Sequence, residues 1–237
     1  MTTIPLTAPV RRMPLEEVRS LLANLDTTSI CDVKKDLRVM APQIKAVKPG
    51  SRIVGRARTV SVDNDFLTVI KALHEAEAGD VLVIDGNGGM KALLGELFTA
   101  EAKRKNLAGI VVDGACRDVG SIQRLDFPVF SKWVSPMAGS CRQLFETQTS
   151  IVCGGVPVEP GDIIFADIDG IIVLTDEELN AVAEGARAVQ KIEDAVLEAI
   201  KHGTPLLELT NAAEHLEAIG VGKDSKLCFN TKTIDIS

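Results

Sequence analysis

The sequence predicts an α/β fold, and three observations carry that reading. Four apolar runs at 81–84, 108–113, 163–166 and 171–174 are each bounded by turn residues, as buried strands are. Stretches of helical periodicity lie between and around them, which is the pattern of a layered α/β domain. No internal repeat, low-complexity tract or linker interrupts the 237 residues. The chain therefore reads as a single α/β domain over 1–237, with a core over about 20–175 and a C-terminal helix and tail over 176–237.

Taken in order, residues 14–25 place Val18, Leu21, Leu22 and Leu25 on one helical face, with Pro14 suited to the first turn. The polar cluster 26–29 is a capping signal for a short helix near Ile30. Residues 52–62 are rich in β-branched side chains and read as a strand. Residues 65–76 return to helical periodicity, and Val81 to Ile84 fit a buried strand. After the loop 85–89, a helix is expected over 92–105, closed by basic residues that complement its dipole. A strand at 108–113, a helix near 118–124, a strand near 129–132 and a hairpin around 151–158 follow. Thr175 opens a capping box with Glu178 for a long helix reaching about residue 201, and a short helix is expected around 206–217.

Composition narrows the function. A net charge of −7 argues against the broad basic footprint of a nucleic-acid binder. Trp133 is the single tryptophan and tyrosine is absent, so stacking platforms for single strands are not expected. The N-terminal stretch lacks the continuous apolar core of a signal peptide, and no run approaches a membrane span; a cytoplasmic protein with no membrane partner is expected. The five cysteines form no CxxC pair and read as free, mostly buried thiols.

Two strand-to-loop transitions are candidate sites, because ligands of α/β folds bind where strands give way to loops. The first, Val81 to Gly89, has glycines that let backbone approach a ligand, and a helix starting near Lys91 could lend its positive end to an anion. It matches neither a full GxGxxG nor a phosphate loop, and a plain tight turn explains it better. The second is Val111 to Asp118. An Arg beside an Asp is ordinarily a surface ion pair of little energy. Here Glu96 precedes Arg117 by 20 intervening residues, enough for a helix and a strand to return to the same end of a sheet. Carboxylates suit hard divalent ions, and a guanidinium suits a substrate carboxylate.

The residues Gly95-Glu96-Leu97-Phe98, Ala102, Gly109, Val112-Asp113-Gly114 and Arg117-Asp118 resemble a family signature. The family holds the class II 4-hydroxy-4-methyl-2-oxoglutarate/4-carboxy-4-hydroxy-2-oxoadipate aldolases and the regulator of ribonuclease E activity A. The resemblance runs from about residue 20 to 200 and includes 127–131 and 160–170. It implies a compact α/β/α sandwich with helical extensions at both ends. It implies a metal-dependent lyase that cleaves 4-hydroxy-2-oxo acids to release pyruvate and also decarboxylates oxaloacetate, with Mg²⁺ or Mn²⁺ as cofactor. Asp118 would ligate the metal, and Arg117 would hold substrate and stabilise the enolate. The backbone of Gly95 to Phe98 would bind the pyruvyl unit, and Glu96 would position a water that shuttles protons. Aldolases of the family often carry Asp at the Glu96 position. A glutamate from the C-terminal helix of a neighbouring subunit would complete the site, with Glu193 fitting best and Asp194 and Glu198 nearby. The active unit would then be a homotrimer or homohexamer.

Other routes find less support. A Schiff-base mechanism needs a buried lysine, and Lys91 reads as exposed. His74, His202 and His215 are too scattered for a metal cluster. Cys116 has no nearby histidine and reads as a packed thiol. Asp85 and Asp113 either orient the two loops or accept loop amides. No adenosyl-methionine loop with a following acidic residue is present, so methyl transfer is unsupported. The alternative of a different class is a non-catalytic binder that inhibits an RNA-degrading enzyme. The long helix carrying Glu193, and the tail beyond it, favour the enzyme, since that regulator branch resembles a shorter chain.

Overall fold

A computed structural model of the chain describes residues 12–230. Residues 1–11, most of the stretch read as lacking a leader core, and the polar end at 231–237 lie outside the described residues.

Two N-terminal helices, α1 (Leu15–Leu22) and α2 (Thr27–Val33), precede short strands β1 (Arg38–Val39) and β2 (Lys45–Ala46). Strand β3 (Ile53–Ser61) then begins a run of parallel crossovers: α3 (Leu67–Glu75), β4 (Asp80–Asp85), β5 (Ala92–Leu94), α4 (Glu96–Arg104), β6 (Gly109–Cys116), α5 (Val119–Leu125) and β7 (Val129–Val134). The hairpin β8 (Ile151–Cys153) and β9 (Val156–Val158) follows, then β10 (Ile163–Ala166), β11 (Ile171–Leu174), α6 (Asp176–Lys201) and α7 (Ala212–Gly220).

The main sheet has the order β1–β11–β10–β3–β4–β6–β7–β2, with β5 beside β6. Its centre, β3–β4–β6–β7, is parallel, and β10, β11, β1 and β2 pair antiparallel at its flanks. The central strands are buried on both faces, which is why they read as unbroken apolar runs rather than alternating ones.

Side-chain alternation along β3 defines the layers. Val54, Val60 and Val62 turn to the helices, while Ile53 and Ala57 turn to the opposite face. On the helical face, α3, α4 and α5 cover the parallel strands and α1, α2 and α6 cover β10 and β11. The layered α/β fold that the resemblance implies as an α/β/α sandwich is present, with its described helices on one face of the sheet. Its second outer layer is the β8–β9 hairpin, where Ile151, Cys153 and Val158 bury against Val83 and Val111.

Local signals explain most boundaries. Asp26 caps α2 by accepting the Ser29 amide at 2.7 Å. Thr175 and Glu178 form the full capping box of α6. The first half of α6 buries Leu179, Val182, Ala183 and Ala186, each large side chain contributing roughly 1.5–3 kcal/mol relative to exposure. Its second half is different: Val196 packs with Leu209, and Leu197 and Ile200 remain exposed.

Several expected boundaries moved, and the strand expected at 108–113 runs on to Cys116. The helix expected over 92–105 begins only at Glu96, because buried Ala92 and Leu94 pair with Ala115 and Cys116 as a strand. The tail helix expected at 206–217 forms at Ala212–Gly220, after turns at 206–209. The five cysteines are free, but Cys141 and Cys228 are exposed rather than buried. Among the described residues, no helix is long and apolar enough to cross a membrane.

Candidate active site

Strand β6 is longer than its parallel neighbour β4. Their pairing ends at Asp85 and Asp113, and β6 continues to Cys116 beside β5. The extension places Arg117 where β5 hands over to α4, and the Arg117 amide donates to Leu94 O at 3.0 Å, one more rung of that ladder. Gly95 then caps α4 with extended backbone and offers no side chain to the first-turn amides.

Asp118 supplies what Gly95 lacks. Its backbone is left-handed, φ +58°, which turns the chain sharply into α5. The carboxylate points away from its own helix and accepts the Glu96 amide at 3.1 Å through Oδ2. The Arg117 Nε lies 3.6 Å from the same oxygen. Both side chains are about two-fifths exposed (45% and 41%), so the pair contributes little to stability and is open to a ligand. Gly95 is required by this closeness. A Cβ there would collide with Asp118 Oδ2 and sit 2.9 Å from Arg117 Cγ.

These groups form one end of a cavity of about 170 Å³. Its polar end holds Arg117, Asp118 and the N-terminus of α4, whose Leu97 and Phe98 amides fall in the first turn and have no intrahelical acceptor. Its remaining wall is apolar and includes Phe66 and Phe98, packed edge to face with centroids 5.9 Å apart. The arrangement can hold an anion between a guanidinium and a helix N-terminus, with a free carboxylate edge alongside.

Of the residues singled out in the sequence, Gly95, Leu97, Phe98, Arg117 and Asp118 line this cavity together, and Glu96 opens the helix between them. Glu96 is thus the first helical residue, whereas a helix over 92–105 would have placed it one turn in. Glu193 does not line the cavity of its own chain. It sits half-buried on α6, where burial and then the neighbouring Asp32, Asp26 and Asp194 push its carboxyl upward. Asp194 and Glu198 are exposed on the same helix.

The glycine-rich loop after β4 is a tight turn, closed by Gly89 N–H donating to Gly86 O at 2.8 Å, with Asn87 and Gly88 left-handed. The helix start once placed near Lys91 is five residues further on. Asp85 accepts the Asn87 amide and the Ser61 hydroxyl, and Asp113 accepts the Gly154 amide and pairs with Lys132. Both acids therefore tie loops to the sheet. Cys116 is buried, and burial pushes its thiol up despite a hydrogen bond with Ser131, so it is a packed thiol. Among the described residues, no three His, Cys, Asp or Glu side chains converge as a metal cluster.

Sequence reasoning missed Phe66, Ala92, Leu93, Leu94 and Ala138 as cavity residues. The buried run 92–94 carried a signal in its apolarity, which a strand explains as well as a helix. Phe66 and Ala138 carried none, since each reaches the cavity only through tertiary packing.

Comparison with known proteins shows the family and the fold. A family model described as RraA-like, Aldolase/RraA, matches residues 27–173. A relative from Halalkalibacterium halodurans carries the provisional name 4-hydroxy-4-methyl-2-oxoglutarate aldolase. It is 37% identical over 173 residues, covering 72% of this chain and 82% of its own. The crystal structure of an uncharacterized protein from Pseudomonas syringae pv. tomato superposes with a TM-score of 0.75 at 28% identity, covering 86% of this chain and 98% of that one. The RNA-processing inhibitor RraA from Thermus thermophilis superposes with a TM-score of 0.59 at 32% identity, covering 63% of this chain and 92% of its own.

Proposed function

The chain belongs to the RraA-like (Aldolase/RraA) family, and from that premise we propose that it is a divalent-metal-dependent carbon–carbon lyase. Its substrates are 4-hydroxy-2-oxo acids, cleaved with release of pyruvate, and oxaloacetate, which it decarboxylates. The observation that carries this reading is the convergence of Arg117, Asp118 and the first turn of α4 at the polar end of one cavity.

In the cleavage, the substrate's 4-hydroxyl loses its proton and the C3–C4 bond breaks. The departing half leaves as a carbonyl compound, and the electron pair passes into a pyruvate enolate that is then protonated at C3. Decarboxylation of oxaloacetate yields the same enolate with carbon dioxide as the leaving group. Arg117 holds the pyruvyl carboxylate and adds fixed positive charge where the enolate oxygen develops its own. The Leu97 and Phe98 amides orient the same end. Glu96, exposed at the helix start, holds the water through which the proton moves.

Mg²⁺ or Mn²⁺ suits the donor set. Asp118 engages the Glu96 amide through Oδ2, and Oδ1 of the same carboxylate is left for an ion. One carboxylate completed by water and substrate oxygens is a common way to hold Mg²⁺. When bound, the ion supplies Lewis-acid stabilisation of the enolate.

The active unit is a homotrimer or a pair of trimers in which Glu193, or its neighbours Asp194 or Glu198, enters the site of an adjacent subunit. Leu197 and Ile200 on the second half of α6 support this, since both stay exposed beside the Val196–Leu209 contact and offer apolar surface to a neighbouring subunit.

The direct test is pyruvate release from oxaloacetate and from a 4-hydroxy-2-oxo acid, with and without chelator. Metal-stimulated release that chelator abolishes supports the lyase. No release with either substrate favours a non-catalytic binder like the inhibitor from Thermus thermophilis.

A further inference from the structure

A second carboxylate lies behind the cavity wall. Asp65, just before α3, is 0% exposed, and among the described residues no lysine or arginine pairs with it. A charge so enclosed needs hydrogen bonds in place of its hydration, and four donors supply them. Oδ1 accepts the Leu67 amide at 2.9 Å, at the start of α3. Oδ2 accepts the Ser140 hydroxyl at 2.6 Å and the Arg142 and Gln143 amides at 2.6 and 3.2 Å. Burial raises the carboxyl, but these bonds outweigh it and hold it below its ordinary value, so the group is ionised.

The three donors on Oδ2 belong to one segment, 135–150, which joins β7 to β8 with no helix or strand of its own. Irregular segments of that length are uncommon in compact domains. This one crosses the site as a strap. The Ala92 amide donates to Met137 O at 2.8 Å and the Gly139 amide to Ala92 O at 2.9 Å, which seats Ala138 in the cavity wall. The Phe66 amide then donates to Ser140 O, and the Ser140 amide to Asn64 O, both at 2.8 Å. Buried Thr68 pins the strap further on by accepting the Phe145 amide at 2.9 Å. Phe66, whose ring meets Phe98 in the cavity wall, therefore sits between two anchors of the strap. All of these bonds lie within one chain, so a neighbouring subunit at the cavity mouth does not replace them.

We propose that Asp65 is a positioning residue of the site, docking the strap on the start of α3 and so holding Ala138 and Phe66 against the first turn of α4. The inference rests on the lyase function proposed above. Asp65 touches neither substrate nor metal; its effect reaches the substrate through the two side chains it holds.

Asp65→Asn isolates the docking. The amide keeps an oxygen for Leu67 but turns an NH₂ group toward the Arg142 and Gln143 amides, donor against donor. Trypsin cleavage of the Arg142–Gln143 bond, whose amide is one of those donors, is followed by mass spectrometry on the full chain. It is expected to be faster in the variant by about tenfold or more, since unpaired buried donors favour the open strap. The KM for oxaloacetate with Mg²⁺ is expected to rise about tenfold, the equivalent of roughly two methylene groups of lost apolar contact, while kcat changes by less than about twofold. Gly139→Ala lifts the strap from its own side. The backbone there is not left-handed, but a Cβ would lie 2.5 Å from Asn64 O. That variant leaves the carboxylate untouched and should move both readouts the same way, so it carries the test if Asp65→Asn fails to fold. Unchanged cleavage in the folded variants overturns the docking. Faster cleavage at a constant KM, whether or not kcat falls, overturns the positioning role and leaves the lyase standing. A wild-type chain that releases no pyruvate overturns the lyase, and the part of Asp65 in it.

Discussion

The Asp118 carboxylate accepts the backbone N–H of Glu96 at 3.1 Å, so the loop after β6 caps a helix that begins 22 residues earlier. One side chain thereby fixes the distance between the two halves of the site. It also couples the helix start to Arg117, which shares the same oxygen. Changes at Asp118 should therefore separate capping from chemistry.

Asp118→Asn keeps an acceptor oxygen and tolerates the left-handed backbone, φ +58°, better than most residues. Its melting temperature should stay near wild type while chelator-sensitive pyruvate release falls to background. Asp118→Ala loses the cap as well, at about 1 kcal/mol measured by urea unfolding. Full metal-stimulated turnover in either variant would refute Asp118 as the metal ligand.

Gly95→Ala tests the close approach of the two loops. The backbone there is extended, so alanine brings no conformational strain, only the collision with Asp118 and Arg117. Activity should drop by about tenfold or more, mainly in kcat, as the two half-exposed side chains swing aside to admit the methyl group, with little loss of stability. An active Gly95→Ala enzyme would mean that the Arg117–Asp118 geometry is not what catalysis needs.

Arg117→Lys keeps the charge but not the planar two-point grip. For oxaloacetate, kcat/KM should fall by about tenfold to a hundredfold, as expected when one bidentate contact is lost. Wild-type kcat/KM in this variant would remove Arg117 as the substrate clamp.

Asp26 gives a pH dependence unrelated to catalysis. Burial raises its carboxyl, but hydrogen bonds from Ser29, Gln190 and Thr28 outweigh this and bring it down to about 2. A depressed folded value adds stability that is present above the unfolded value of 3.8 and is lost as pH falls toward 2. Gln190 lies on α6, so the same carboxylate ties α2 to the long helix. Asp26→Ala should lower the melting temperature at pH 7, and the gap from wild type should close as pH approaches 2. A gap that persists at pH 2 would show that the loss comes from packing alone.

Shared sites are tested by mixing Glu193→Ala with Asp118→Ala under conditions that allow subunit exchange. If Glu193 serves a neighbouring subunit, some interfaces regain both residues and part of the activity returns. A monomer that stays fully active on dilution would exclude the shared site.

What the sequence determined by itself was local or periodic. The strands at 81–84, 163–166 and 171–174 announced themselves because burial on both faces demands unbroken apolar runs. The start of α6 was legible because a capping box is a contact between residues three apart. The Gly95–Phe98 and Arg117–Asp118 stretches were legible through a family pattern. Tertiary structure alone decided the rest. Ala92 to Leu94 became a strand rather than helix because β6 overruns β4 and offers them a partner, which no local propensity encodes. The cap on α4 came from Asp118 because Gly95, whose Cβ would clash with it, left room for a side chain from another loop. Phe66 and Ala138 joined the cavity wall through contacts that span dozens of residues, where periodicity carries no information.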